Sequence, residues 1–98
     1  MSFSFHPEAA AEFAAAIDWY EERANGLGLD LAAEVREAIG RALSLPAAWQ
    51  QVSPDIRRVL VHRFPYGVLY AHENDHVFVL AVMHLSRRPG YWLKRRKT

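Results

Sequence analysis

The stretch that decides the fold is Ile56-Arg57-Arg58-Val59-Leu60-Val61-His62-Arg63-Phe64-Pro65-Tyr66-Gly67-Val68-Leu69-Tyr70-Ala71-His72-Glu73-Asn74-Asp75-His76-Val77-Phe78-Val79-Leu80-Ala81-Val82-Met83-His84-Leu85. Three runs rich in β-branched and aromatic residues are separated by two breaker segments, Pro65-Tyr66-Gly67 and Glu73-Asn74-Asp75. β-Branched and ring side chains fit a pleated, half-buried surface, and short polar turns join antiparallel neighbours. The spacing predicts strands over Ile56–Phe64, Val68–His72 and His76–Leu85. In the first, Val59 and Val61 should face one side and Leu60 and Phe64 the other. The third is apolar on both faces, which places it inside a sheet.

Working outward toward the N-terminus, Pro46 to Asp55 contains two prolines and Trp49 and reads as a loop around an edge of the core. Before it, Leu31, Val35, Ile39 and Leu43 recur at helical spacing, predicting a helix from near Asp30 to just before Pro46. A second stripe, Phe13, Ile17, Tyr20 and Ala24, predicts a helix that opens at His6-Pro7 and stops at Asn25-Gly26. Proline is tolerated in a first turn, and Glu8 and Glu12 favour the positive end of the helix dipole. The short Asn25-Gly26-Leu27-Gly28 connection makes the pair an antiparallel hairpin. Ser2 to Phe5 alternates polar and aromatic residues, as a short strand would. Toward the C-terminus, Pro89-Gly90 precedes Tyr91-Trp92-Leu93, a segment able to dock back on the sheet, with Trp92 capping the core. The expected architecture is α+β, in the order β-α-α-β-β-β, with the helical hairpin packed on a mainly antiparallel sheet and residues 1–98 forming one domain.

Composition narrows the chemistry. With no cysteine, neither disulfides nor thiolate metal sites are available, which suits a reducing cytoplasm. The N-terminus lacks the pattern of a secretory signal, and Val77 to Met83 is too short to span a bilayer, so a cytosolic protein without membrane contact is expected. The net charge is only +1, yet residues 1–50 hold three arginines against eight carboxylates, while residues 51–98 hold nine Lys/Arg against three. From His84 onward there are six cations and no acid. An anionic partner would be steered there.

The order of elements resembles the RelE/ParE toxin superfamily, ParE-like members above all, often described as plasmid-stabilisation proteins. Three segments carry the likeness: Phe5-His6-Pro7-Glu8-Ala9 with Ala16-Ile17-Asp18-Trp19-Tyr20-Glu21; Ile56-Arg57-Arg58-Val59 through Arg63-Phe64-Pro65-Tyr66; and Ala81-Val82-Met83-His84 through Arg87-Arg88-Pro89-Gly90-Tyr91-Trp92. The resemblance implies the toxin of a type II toxin–antitoxin system that causes growth inhibition. It also implies a cognate antitoxin, and contact with operator DNA only through that antitoxin. Two targets are open, DNA gyrase for ParE-like members and ribosome-bound mRNA for RelE-like ones.

For mRNA cleavage, a proton acceptor, a proton donor and cations for the crowded phosphate are required. Histidine titrates near neutrality, so His84 suits either proton task. Arg57, Arg63 and Arg87 could clamp the phosphate through fork geometry, and Tyr91 could stack on a base or assist proton transfer, which makes His84, Arg87 and Tyr91 the catalytic candidates. Target or nucleic-acid binding would fall to Arg57, Arg63, Arg88, Lys94, Arg95 and Arg96. Against cleavage, residues 46–63 contain no lysine, where RelE-like nucleases place theirs. Arg57 and Arg63 also have a plain reading as solvent-facing arginines on one face of a strand, and Lys94 to Lys97 as a frayed tail.

His72-Glu73-Asn74-Asp75-His76 imitates a metal cluster, but it coincides with the best hairpin turn, where polar residues serve the turn. No Gly-rich phosphate loop, serine nucleophile motif or zinc knuckle appears, and no metal or cofactor is expected. A plain nucleic-acid-binding module is a third reading, disfavoured by the small net charge. The effector surface is expected to gather Arg57, Arg63, His84, Arg87 and Tyr91 on one side of the sheet, with the helices on the other.

Overall fold

The computed structural model describes residues 2–97. The elements run β1 (Ser2–Phe5), α1 (Pro7–Arg23), α2 (Leu27–Ser44), β2 (Gln50–Ser53), β3 (Ile56–Leu60), β4 (Tyr66–Glu73) and β5 (His76–His84), with a closing 3-10 turn over Leu93–Lys97. The sheet order is β1-β5-β4-β3-β2. β1 runs parallel to β5, and every other pair is antiparallel. The class is the α+β arrangement expected from sequence, with one more strand. β2 lies within the segment read as a loop. Two prolines and Trp49 hide it, yet Gln50 and Gln51 pair with Arg58 and Arg57 across a bulged edge. A strand this short and polar leaves no periodic trace; only pairing with β3 makes it a strand.

The helical hairpin forms as its stripes require, although α2 begins at Leu27, three residues before Asp30. Gly26, at φ 86°, takes the left-handed turn that follows α1. The Glu21 carboxylate then accepts from the N–H groups of Gly26 and Gly28, at 2.7 and 3.0 Å, satisfying donors at the start of α2. Gly28 is the point of closest helix approach, since a Cβ there would stand 2.4 Å from the Ile17 carbonyl oxygen.

Two clusters of buried side chains flank the sheet. On the helical side, Leu31, Val35 and Ile39 of α2 and Ala9 and Ala16 of α1 meet Val59, Val68, Tyr70, Val77, Val79 and Val82. Val61 and Phe64 belong to this same cluster. The expected opposition of Val61 and Phe64 is therefore corrected: β3 ends at Leu60, and Arg63, at φ 71°, reverses the backbone so that alternation no longer applies. On the far side, Ile56, Leu69, Ala71, Leu80, Ala81 and Met83 pack under Trp92, which is 4% exposed. The segment after Gly90 does dock on the sheet, and Trp92 caps the second core.

One irregularity positions a candidate site residue. Leu69 pairs with Ala81 and Tyr70 with Val79, so Leu80 is an extra residue on β5. Val77 and Val79 face the helices, Leu80 and Ala81 both join the far cluster, and Val82 faces the helices again. The bulge resets the phase of the strand and carries His84 to the helical side, where its ring meets Tyr66 edge-on at 5.1 Å. The Asn74-Asp75 turn has both residues at positive φ, 47° and 60°, the pair of values a two-residue hairpin turn demands. His76, part of the apparent metal cluster, instead holds β1 in place, with Nδ1 against Ser2 Oγ and Nε2 against Ser4 Oγ.

The two helical glycines give substitutions of opposite sign. Gly28→Ala should destabilise by roughly 1–3 kcal/mol, because the backbone of α1 must move. Gly40→Ala has nothing within 4 Å of its new methyl and should stabilise by about 0.5–1 kcal/mol. Urea midpoints of the two variants check both signs.

Candidate functional site

The site grows from a gap in the sheet. β1 covers the outer edge of β5 only as far as Val79, whose carbonyl accepts from the His6 N–H. Beyond it, Leu80 and Val82 would present unpaired backbone groups, which are costly when buried. Two side chains take the place of a strand. The Val82 N–H donates to Glu12 Oε1 at 3.1 Å, and Arg95 Nη1 donates to the Leu80 carbonyl at 3.0 Å. Glu12 and Arg95 then pair with each other through two parallel bonds of 2.9 and 3.0 Å. Such fork-to-fork pairs are the strongest and most directional of their kind.

Glu12 collects a second cation, as Arg87 Nη1 stands 3.3 Å from Oε2. Glu8 adds a looser contact to Arg95 at 3.7 Å. The Tyr91 ring lies beneath both guanidinium groups, 3.8 Å from Arg87 and 5.0 Å from Arg95. Burial, reinforced by the adjacent Glu12 carboxylate, raises the Tyr91 pKa against the opposing pull of Arg87 and Arg95. Its hydroxyl oxygen is buried and forms no hydrogen bond of acceptable geometry among the described residues. Burial alone would lower the Arg95 pKa, but hydrogen bonding and charge from Glu12, with Tyr91 and Glu8, outweigh it and the pKa is raised.

Arg87 lines three clefts, two of them beside α1. The larger, about 680 Å³, is lined by His6, Glu8, Phe78, Tyr91, Lys94 and Arg95 as well as Arg87. The other, about 380 Å³, lies along α1 between Trp19, Tyr20, Tyr66 and His84. His84 Nδ1 accepts from the Ser86 N–H at 3.1 Å and lies 2.7 Å from Ser86 Oγ. The structure thus gathers Arg87, Tyr91 and Arg95 around Glu12, with His84 in the adjoining cleft and Lys94 exposed at the rim of the larger one.

The other expected residues are elsewhere. Arg57 shares a face with Val59 toward the helices and donates to the Trp49 carbonyl at 2.8 Å. Arg63 is in the loop after β3, 3.6 Å from Asp30 of α2. Their expected sharing of one strand face is therefore corrected: the strand has ended before Arg63. Arg96 pairs with Asp55 and Glu73, so the C-terminal segment is anchored rather than frayed at that position. Arg88 is exposed. The expected single surface holding Arg57, Arg63, His84, Arg87 and Tyr91 does not form.

Glu12 is the residue of this candidate site that sequence reasoning passed over. Its signal was its place on the buried face of α1, three residues after Ala9 and four before Ala16, where a carboxylate has no reason to be unless a cation meets it. Among the described residues, Glu34, Glu37 and His62 bring potential metal-ligand atoms within 4.8 Å of one another. Glu37 already receives Arg41 Nε through both oxygens, an ordinary helical ion pair.

Removing the Glu12 carboxylate takes the closest carboxylate from a guanidinium whose side chain is only 10% exposed and leaves it the looser Glu8 contact. Glu12→Ala should therefore cost on the order of 3 kcal/mol, and more than Arg95→Met, which leaves Glu12 paired with Arg87. Chemical denaturation of both variants tests the order. Tyr66, Tyr70 and Tyr91 all have pKa values raised above 10.0 in the folded chain, mainly by burial. The unfolded chain ionises these rings first, so their contribution is intact below pH 10 and is lost as pH climbs through the higher folded values. The melting temperature should fall above pH 10, and Tyr91→Phe should flatten that fall.

The sequence matches the family described as ParE toxin of type II toxin-antitoxin system, parDE, over residues 3–89. No curated protein matches it. Among solved structures it is similar to a chain of a chromosomal ParDE TA system from P. aeruginosa, with TM-score 0.73 and 19% identity. That alignment covers 88% of this chain and 97% of the other. At this identity the likeness bears on the fold, whereas the family match spans most of the sequence, from within β1 to beyond β5. No helix among the described residues is long and apolar enough to cross a membrane. The chain belongs to the ParE toxin family of type II toxin–antitoxin systems.

Proposed function

We propose that this chain is a growth-arresting toxin that works in the cytoplasm by binding a protein target, DNA gyrase, without catalysis, and that a cognate antitoxin neutralises it. The observation that carries this reading is the Glu12 carboxylate at the centre of the cationic cluster. A ribonuclease needs cations free to receive a phosphate and stabilise its developing charge. Here Arg87 and Arg95 are paired to Glu12, Arg63 to Asp30, and Arg96 to Asp55 and Glu73. The Tyr91 hydroxyl is held in its neutral form by burial. His84, Arg87 and Tyr91 remain the residues that the RNA-cleaving alternative would use.

The antitoxin reading draws on an apolar groove of about 290 Å³ between β1 and the helices, lined by Phe3, Phe5, Phe13, Ile39 and Leu43 with Arg36 at its side. An acidic amphipathic segment that folds on binding suits such a surface. Contact with operator DNA would then run through the antitoxin. Binding of nucleic acid by the toxin itself would rest on Arg88 and Lys94, exposed and without an ion pair among the described residues.

Expression of the chain alone should arrest growth, induce a DNA-damage response and inhibit supercoiling by purified gyrase. Co-expression of the adjacent antitoxin gene should relieve it. Mapped mRNA 5′ ends should show no codon-positioned cuts. Ribosome-dependent cutting that disappears in His84→Ala or Arg87→Ala would overturn the gyrase reading. Toxicity left unchanged by both substitutions would remove these residues from the effector surface.

A further inference from the structure

On the face of the sheet away from the helices, the C-terminal segment leaves a cleft of about 330 Å³. Leu69 of β4, Met83 of β5, Leu85, Trp92 and Leu93 make its walls apolar, and Arg58 of β3 and Ser53 of β2 enter it from one side. The volume falls within the range of small ligand sites, roughly 300–1,000 Å³.

Two residues of this cleft each carry a buried donor without an acceptor among the described residues. The Trp92 side chain is almost wholly buried, and its Nε1–H has no acceptor among the described residues. Arg58 Nε–H is likewise buried without an acceptor, while Nη2 donates to Gln50 Oε1 at 2.7 Å. The contrast within the chain is instructive, for Trp49 Nε1–H donates to the Arg41 carbonyl, and buried Arg95 has a carboxylate. Arg58 makes no ion pair among the described residues. Buried donors in native proteins are nearly always satisfied, and exceptions mark a role.

The sequence also makes room for Arg58 to lie there. It crosses β4 over Gly67, where a Cβ would stand 3.0 Å from Arg58 Cδ and 3.1 Å from Cγ. Gly67 has an ordinary φ, so it is the passage of the arginine stem, not backbone strain, that leaves no space for a side chain. An acceptor with a negative charge, presented from something that also covers the apolar walls, would satisfy such donors.

We propose that this cleft recognises a carboxylate of a protein partner, either an acidic side chain or a chain terminus, flanked by an apolar residue. Arg58 supplies charge and its Nε–H, Trp92 supplies a second N–H, and the leucines and Met83 receive the flanking side chain. Two guanidinium groups line the cleft, and Arg87 is already held by Glu12, so Arg58 is left to meet a ligand over the apolar floor, which matches one carboxylate better than a polyphosphate backbone that calls for several cations. The proposal does not rest on the gyrase reading, because any partner that brings this group would serve, although Arg87 lines this cleft as well as the two beside Glu12.

The chain has three tryptophans, so its indole N–H resonances form a set of three that Trp92→Phe assigns. The ¹⁵N-labelled full chain is titrated with acetyl-Leu-Glu-Leu-amide, with acetyl-Leu-Leu bearing a free terminus, with acetyl-Leu-Gln-Leu-amide, with inorganic phosphate and with a short oligoribonucleotide. Either of the first two should shift the Trp92 resonance and leave that of Trp49 in place, and the stronger of them identifies the source of the carboxylate. Arg58→Gln and Gly67→Ala should each weaken that binding about tenfold, with the Trp49 resonance and the melting temperature reporting that the fold persists. Equal binding of the neutral peptide, a Trp92 response to phosphate or RNA but not to the acidic peptides, or no response to any probe would overturn the proposal.

Discussion

The outer edge of β5 is closed by an ion pair, and much of the molecule is arranged around that fact. Past Val79 this edge of the strand has no strand beside it, and Glu12 and Arg95 supply the acceptor and donor that a further strand would have given. Because Glu12 sits on α1 and Arg95 near the C-terminus, one pair fixes the roll of the first helix and the path of the last segment together. Unpaired edge groups invite association with other chains, so this closure also serves as protection. Arg87 and Tyr91 then find their places against the same carboxylate.

A single extra residue has comparable reach. The Leu80 bulge lets β5 feed two cores with changed phase, sending Val82 and His84 to the helical side while Met83 stays under Trp92. Without it, strict alternation from Val77 and Val79 would turn His84 away from α1 and bury Ala81 beneath the helices. The position of the histidine next to Tyr66 is thus a property of strand pairing, and the cleft along α1 exists because of it.

The charge division along the chain takes on a different meaning in space. The acidic first half and basic second half are not two poles, since Glu8 and Glu12 meet Arg95, Glu12 meets Arg87, and Asp30 meets Arg63. Folding uses much of the opposite charge to tie the helices to the loops and the C-terminal segment. What remains uncommitted is dispersed, with Arg58 on the far face, Arg57 turned toward the helices, and Arg88 and Lys94 exposed. A surface of this kind has separate contact points rather than a continuous phosphate track.

The sequence by itself determined the two helices, the three long strands and their turns, because these rest on local regularities: a spacing of three or four, alternation, and breakers such as Asn25-Gly26 and Asn74-Asp75. It also marked His84, Arg87 and Tyr91 as neighbours, since they fall within one short stretch, and it carried the family likeness in ordered segments. Tertiary structure alone decided β2, whose polar residues become a strand only against β3, and the fate of Arg63, which a left-handed residue removes from its expected face. It alone decided that Glu12 is the partner of Arg87 and Arg95, that Arg58 crosses Gly67, and that no one surface joins all the predicted cations. Pairings across seventy or more residues depend on where chain segments are brought together in space, and no local pattern records them.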